Sequence, residues 1–355
     1  MDGDTRVLDK VPQLRRGPQH TRVSRRLTVS LPTVSLDLAG RSSPSGVREV
    51  LHQTDPTTPV TVVVPAWFGM ADRHHVAAAL DPDGLRQLTF VSSTLAAVHG
   101  HHLGRPDESS MHAVLCVDLR RGWSAGLVRV EPGGLIEVAS WGAPPDDPTG
   151  RIDDEVSSRW LVDVLLSDAS TVTGTPAISG VLVIDDDGLA ANLVRRVLMQ
   201  RDEGTAERPV YVKRARPLIA KGSAMMRSDE ESTPSVGSLS RALAVLADDD
   251  PAHPAMRVVA AEHAIFPSST RLTFDLGPDD GSPLHFDVYE QQRASGVDDV
   301  TGRAVLRAHL VRERGYDRSM VVSFILGADG MFKIGPAQAW RLEWQPPSAD
   351  LADLG

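Results

Sequence analysis

Short apolar runs in the first half of the chain alternate between strand and helix periodicity. The run VTVVVP at 60–65 predicts a buried strand of β-branched residues that Pro65 ends. The next stretch, ADRHHVAAALDPDGL, predicts a helix that begins near Ala71 and ends at Pro82. QLTFVSS then predicts a second short strand, and STLAAVHGH a second helix with a hydroxyl cap at Ser93 or Thr94.

The pattern then changes to successive strands. AVLCVDLRRGWSAGLVRVEPGGLIEVASWG predicts three strands joined by turns at RRGW and PGG. DDEVSSRWLVDVLL at 153–166 predicts an amphipathic helix, and GVLVI at 180–184 a buried strand followed by a helix. YVKRARPLIAKGSAMM closes the region with a strand and a helix. This mixed order predicts a sheet flanked by helices.

Composition divides the chain into five parts. Residues 1–48 form a basic leader that we expect to be solvated and partly disordered, and a lobe of mixed strands and helices follows over 49–227. The polar, acidic segment 228–242 is typical of a linker. Evenly spaced strand signals over 243–345 predict an antiparallel β-sandwich, with a short tail at 346–355.

Composition and charge exclude several functional classes. The 355 residues are 41 % hydrophobic, which is enough for a real core and excludes wholesale disorder. The formal net charge of −10 argues against a general nucleic-acid binder. We expect no membrane span and no secretory signal, since no apolar run approaches roughly 18 residues. Cys116 is the single cysteine, which excludes an intramolecular disulfide and fits the reducing cytoplasm.

Several segments resemble the DnaK-type heat-shock chaperones of the seventy-kilodalton class. VTVVVPAWFGMADRHHVAAALDPDGLRQLTFVSSTLAAVHGH is similar to a family segment that reads VPAYF, a helix, AGL and NEPTAAAL. FPSSTRLTF, HFDVYEQQR and VVSFILGADGMFKI are similar to stretches of the peptide-binding sandwich. The resemblance covers about 49–227 and 243–345. It implies an incomplete α/β actin-like (ribonuclease H-like) lobe, followed by an antiparallel β-sandwich.

The phosphate turn of that family is degenerate here. In the family, glycines let backbone N–H groups approach the phosphates. AVLCVDLRRGWSAGLVRV keeps Asp118 and Gly122, but Arg120 and Arg121 replace two glycines and Trp123 replaces a threonine. We therefore expect a pseudo-ATPase that needs no cofactor. The alternative is an active ATP-dependent chaperone whose two arginines contact the phosphates of Mg-ATP.

The adenosine loop and the outer parts of the lobe also depart from the family. Asp185, Asp186 and Asp187 replace its GGS, and three carboxylates would repel a nucleotide unless a metal intervened. The first phosphate loop with its catalytic lysine has no room before Val60. A further subdomain is missing between Leu166 and Gly180. A second chain that supplies the missing subdomains is one explanation, and dedicated partner binding is another.

The sandwich keeps its pattern better than the lobe does. In the family it holds an extended apolar peptide by main-chain hydrogen bonds and a central pocket. The resemblance assigns Leu284 to that pocket, with Phe286 next on the same face by period two. The alternative is that both are ordinary core residues. His253–Pro254 replaces a glycine pair of the peptide-embracing loop, and no helical lid follows, so we expect rapid exchange of any peptide.

No catalytic motif emerges from the sequence. The histidines near HGHH, together with His74 and His75, lack the cysteine partners and convergent spacing of a zinc site, so we expect a solvated surface cluster. We therefore expect a chaperone-related protein that binds an extended polypeptide or a dedicated partner through its sandwich. The remaining alternative is a structural or assembly scaffold.

Overall fold

The structure is a computed structural model in which the chain forms two units, residues 1–30 and 31–355, and every described residue lies in the second. The described residues are 34–35, 59–101, 110–118, 122–131, 134–143, 178–185, 192, 210–213, 218–219, 221–223, 235–247, 255–275, 285–291, 302–311 and 319–346. Within these ranges, no helix is long and apolar enough to cross a bilayer. The predicted helix at 153–166 lies outside them, as do the leader apart from residues 34–35 and the tail apart from residue 346.

A small parallel sheet opens the described structure. Its strands, in spatial order, are β1 (Val34–Ser35), β2 (Val60–Val64) and β3 (Leu88–Ser92). Two helices, α1 (Met70–Leu80) and α2 (Ser93–His101), follow β2 and β3. All five residues of β2 are buried, which explains its unbroken β-branched sequence. The strands and helices predicted for this region are confirmed.

The second sheet has six strands and mixed direction, in the order β8-β7-β4-β5-β6-β9. Their bounds are β4 (Ser110–Asp118), β5 (Gly122–Glu131), β6 (Gly134–Ala143), β7 (Gly180–Asp185), β8 (Val210–Lys213) and β9 (Ser235–Val236). β4, β5 and β6 form an antiparallel meander across the two predicted turns. The apolar side of α2 packs on this sheet through Leu95 and Val98, against Val128 and Leu182.

Two antiparallel sheets in the second half share one core. The larger has the order β11-β10-β13-β14-β17 and the smaller β12-β15-β16. Their bounds are β10 (Ala242–Ala247), β11 (Ala255–Ala260), β12 (Ser268–Asp275), β13 (His285–Gln291), β14 (Gly302–Leu310), β15 (Ser319–Leu326), β16 (Phe332–Gly335) and β17 (Trp340–Trp344). Alternate residues of β13 and β15 are buried, as the period-two pattern of a half-buried strand requires.

The predicted α/β actin-like lobe is wrong. The described residues are mostly β-strand with few helices, and antiparallel pairing predominates in their small sheets. Strands β4, β5 and β6 pair antiparallel in succession, and all pairings within the two sheets of the second half are antiparallel. Among the described residues, helices follow strands over 60–101, and helical residues recur at 192, 218–219 and 221–223. The other helical residues predicted for the first half lie outside the described residues.

Helix α1 and a hairpin turn join the first sheet to the sandwich. Met70 and Ala71, at the start of α1, belong to the core between the two sandwich sheets. The turn between β15 and β16 reaches β3, where the Phe90 N–H donates to the Asp329 carbonyl at 2.8 Å. This contact covers part of an exposed strand edge.

We expect Gly330→Ala to destabilise the protein more than Gly84→Ala. Both glycines have a positive φ, which costs an L-residue about 1–2 kcal/mol. A Cβ at Gly330 would also lie 2.7 Å from the Phe90 carbonyl oxygen and 3.0 Å from Arg73 Nη1, whereas one at Gly84 would meet nothing within 4 Å. Urea unfolding of both variants measures the difference. Equal losses would mean that the turn moves freely off β3.

Candidate functional site

The predicted phosphate-turn residues lie at one end of the six-stranded sheet. Asp118 ends β4 and pairs in register with Gly122, the first residue of β5. Arg120 and Arg121 lie outside the described residues. The turn therefore connects two directly paired strand ends, but its geometry toward a phosphate stays a prediction.

Of the predicted adenosine-loop residues, only Asp185 is described. It ends β7, is buried, and its Cα lies opposite Val117 of β4, one residue before Asp118. The two aspartates thus come from neighbouring strand ends. Asp186 and Asp187 lie outside the described ranges. Among the residues that the structure describes, no group of three or more His, Cys, Asp or Glu side chains could hold a metal ion.

The predicted histidine cluster is not one surface group. His99 is buried within α2, which contradicts the expectation of a solvated cluster. The ring of His101 lies 5.0 Å from that of Tyr211. On α1, the ring of His74 stacks on Trp344 at 4.5 Å, and burial lowers the pKa of His74 to about 4. These histidines serve packing at separate places, and His102 lies outside the described residues.

Phe286, predicted for peptide contact, lies in the sandwich core. Its ring stacks on Phe274 at a centroid distance of 5.1 Å and meets Trp340 edge-on at 4.9 Å. With 7 % of its surface exposed, Phe286 offers little area to a peptide. Leu284 lies outside the described residues, so its role stays a prediction.

The most concentrated chemistry in the described structure is a buried group of charges between the sheets, which we name the junction cluster. Four of its members are buried, and Arg241 is partly buried. The members are Asp72, Arg73, Glu137, Arg241 and Glu290. Because buried charges are costly without partners, their contacts constrain how the elements pack.

Glu290 of β13 binds the start of α1. Its carboxylate accepts a hydrogen bond from the Met70 backbone N–H and lies 3.4 Å from Arg241 Nη1. Asp72 accepts the Gly69 N–H at 2.8 Å in the same turn. Carboxylates favour this position because the helix N-terminus carries partial positive charge and free N–H groups. Burial nevertheless raises the pKa of Glu290.

Glu137 of β6 joins three further elements. One carboxylate oxygen accepts the Ser92 hydroxyl at 2.7 Å, at the end of β3, and the Thr94 hydroxyl at the start of α2. The other oxygen accepts the Ser238 N–H at 3.2 Å. Burial raises the pKa of Glu137, and the three donors and Arg73 oppose that shift.

Arg73 of α1 lies between these carboxylates and the sandwich. Its Nη1 donates to the Gly330 carbonyl at 3.0 Å, and its guanidinium carbon lies 5.5 Å from the centre of the Phe266 ring. Its Nε has no hydrogen-bond partner among the described residues. Burial lowers the pKa of Arg73, while Glu137, Glu290 and Asp72 raise it. Arg73, Glu137 and Glu290 are each bonded to a neighbouring element, so the cluster acts as a clamp between elements.

The sequence analysis missed the junction cluster. The one local signal is a charged residue on an otherwise buried strand, such as Glu137 within GLIEVAS and Glu290 within HFDVYEQ. Such residues also occur on solvent-exposed strand faces, so the signal does not identify partners. Ser92, Glu137 and Ser238 are far apart in sequence, and only the tertiary structure brings them together.

The segment of residues 237–241 is bonded on both sides. Toward the six-stranded sheet, Ser238 contacts Glu137, and its hydroxyl lies 3.1 Å from that of Ser140. Toward the sandwich, the Leu239 N–H donates to the Ala264 carbonyl at 3.0 Å. This part of the predicted linker is therefore packed between the six-stranded sheet and the sandwich.

The free edge of the larger sandwich sheet is apolar. Strand β11 is the first strand of this sheet and pairs only with β10 among the described strands. Met256 and Val258, two residues apart and thus on one face, are 37 % and 52 % exposed. At the opposite edge, β17 exposes Arg341 and Glu343, charges of the kind that protect sheet edges. β11 is therefore the edge more suited to pairing.

We expect Glu137→Gln to change how stability depends on pH. Because the folded-state pKa of Glu137 is raised, its contribution is fully present below its ordinary pKa of 4.5 and is lost as pH rises through the raised value. The wild type should therefore lose unfolding free energy relative to the variant as pH rises from 4 to 7. Urea titrations at each pH measure this, with the exposed Glu131→Gln as control. Parallel curves for wild type and Glu137→Gln would contradict the assignment.

Comparison with known proteins adds no family to these observations. Neither the protein-family models nor the curated proteins give a match to this chain. The resemblance to DnaK-type chaperones therefore rests on the segments quoted above and stays a prediction.

Proposed function

We propose that this chain binds an extended polypeptide segment along the edge strand β11 of its sandwich, without an ATP-driven cycle. The observation that carries the proposal is the edge position of β11, which pairs with β10 alone among the described strands and exposes Met256 and Val258 on one face. The segmental resemblance to a peptide-binding sandwich supports it. The single cysteine fits a cytoplasmic setting, which we include in the proposal.

Backbone geometry supplies the first part of the argument. A strand at the edge of a sheet presents a row of N–H and C=O groups that can pair with an added strand. Peptide-binding domains use this mode, in which main-chain hydrogen bonds give affinity and side-chain contacts give specificity. β11 spans six residues, a length that can pair with a short extended segment.

The exposed side chains of β11 indicate which class of segment would pair with it. Met256 and Val258 would lie beside alternate residues of an added strand, so apolar residues at every second position fit best. Arg257, between them, projects to the opposite face by the same alternation. The partner class is therefore an extended segment with apolar residues at alternate positions, from a client polypeptide or a dedicated protein.

The absence of an ATP cycle rests on the sequence. Arg120, Arg121 and Trp123 stand where the family has phosphate-contacting residues, and Asp185 begins a run of three carboxylates. Side chains at the turn obstruct the approach of phosphates to backbone N–H groups, and carboxylates repel them. Binding is then controlled by affinity and concentration alone.

We expect a fluorescein-labelled heptapeptide with Leu and Val at alternate positions to bind saturably, as measured by anisotropy. The double variant Met256→Glu/Val258→Glu should weaken binding about tenfold or more, because it replaces apolar contacts with charges. The matched control is Val321→Glu, since Val321 is 54 % exposed on the smaller sheet. Equal affinity for the wild type and the double variant would overturn the assignment to β11.

A peptide of the same sequence with alternate backbone amides N-methylated separates backbone pairing from apolar contact. If β11 pairs as an edge strand, the peptide methylated on the pairing side should lose most of its affinity, and the one methylated on the other side should not. Identical losses for both peptides would contradict strand addition.

We expect no thermal shift with millimolar Mg-ATP or Mg-ADP. A ligand at 100 times its dissociation constant stabilises a protein by about 2.7 kcal/mol, which raises the melting temperature measurably. Scanning fluorimetry with and without nucleotide provides the measurement. A clear upward shift would replace the nucleotide-independent proposal with the active-chaperone alternative.

A further inference from the structure

A strained histidine lies three residues after the proposed binding strand. His263 is in the corner at 261–267 that follows β11, and its φ of +63° is in the left-handed region. Histidine is one of the non-glycine residues that tolerate this region, but the conformation still needs support from its surroundings. The contacts that support His263 therefore also help to hold the end of β11 in place.

His263 connects the corner to two other elements. Its backbone N–H donates to the Leu239 carbonyl at 2.7 Å, in the packed segment 237–241. Its ring Nδ1 accepts the Ser140 backbone N–H of β6 at 3.3 Å, and the ring meets Trp141 edge-on at 4.9 Å. A backbone N–H can only donate, so Nδ1 is unprotonated in this geometry and the ring proton is on Nε2.

Protonation of the His263 ring changes which groups it can bind. An imidazolium donates from both nitrogens, so a proton on Nδ1 would oppose the Ser140 N–H. The charged ring would instead be attracted by the carboxylate of Glu262, 3.9 Å from Nε2, and by the π-system of Trp141. A proton therefore favours movement of the ring away from Ser140.

Charged side chains of the described residues lie on the elements that surround this corner. Glu262 belongs to the corner itself, Glu137 to β6, and Arg241 to the segment that packs on it. Arg73 of α1 lies over Phe266 in the same corner. Glu137, Arg241 and Arg73 belong to the junction cluster, whereas the Glu262 carboxylate lies beside the His263 ring.

We infer that His263 is a proton-sensitive contact that holds the end of β11 to the six-stranded sheet, and that protonation releases it. The corner follows directly on β11, where Ala260 pairs with Leu243 of β10. Release therefore increases the freedom of the strand edge. The consequence for peptide binding rests on the proposed function, but the release itself does not.

Hydrogen exchange tests the release without any ligand. Exchange of the peptides covering Ser140 and segment 237–241, corrected for intrinsic rates, is measured by mass spectrometry from pH 8 to pH 5. In the wild type, protection should fall about fivefold, the size expected for loss of one hydrogen bond. His263→Asn should remove this dependence, because asparagine tolerates positive φ and keeps an acceptor but does not titrate.

A matched control comes from the outer face of the sandwich. His309 also lies beside a carboxylate, with Nε2 3.3 Å from Glu343 Oε2. His309→Asn should retain the wild-type pH dependence. Titration of Glu137 and Glu290 is common to all three proteins, so the difference between them isolates His263. The same pH dependence in His263→Asn as in the wild type would overturn the inference.

Anisotropy with the labelled heptapeptide at pH 8 and pH 5 tests the link to binding. We expect about fivefold weaker binding by the wild type at pH 5 and little change in His263→Asn, since a released edge must be ordered again on binding. If exchange responds as expected but no peptide binds at either pH, the proposed function fails and the proton-sensitive contact stands. If the wild type binds equally at both values while exchange changes, the link to β11 is overturned.

Discussion

The buried charges of the junction cluster constrain how the described sheets are assembled. A guanidinium or carboxylate removed from water is costly by several kcal/mol unless its partners are in place, and loss of one partner from a buried pair costs about 3–5 kcal/mol. Arg73 reaches the hairpin turn at Gly330, Glu137 reaches Ser238, and Glu290 reaches the start of α1. An apolar contact tolerates sliding, whereas these bonds fix one arrangement of three neighbouring elements.

The strand edges of the described sheets differ in how they are protected. The hairpin turn between β15 and β16 bonds Phe90 of β3 and accepts Arg73, so one strand edge is covered from within the chain. β17 exposes charged residues at its own edge. β11 pairs with β10 alone among the described strands, carries one charged residue, Arg257, and exposes the apolar Met256 and Val258. Natural proteins protect such edges, so an edge with this little protection favours a binding role.

Local pattern predicted most elements because burial and turns act over a few residues. β2, α1, β3 and α2, the meander and most sandwich strands follow from periodicity and from glycine or proline turns. The fold class did not follow, because pairing depends on which strands meet, and local antiparallel return competes with parallel crossover.

For the candidate site too, part could be predicted from the sequence and part was decided only by the tertiary structure. From the sequence alone came the sandwich region and the period-two faces of its strands, which are properties of neighbouring residues. Tertiary structure alone placed Phe286 in the core, brought Glu137 to Ser238, and set the His263 ring against Ser140. The physical reason is that burial, charge partners and tautomer depend on residues distant in sequence, 101 positions apart for Glu137 and Ser238 and 123 for Ser140 and His263, which no local pattern specifies.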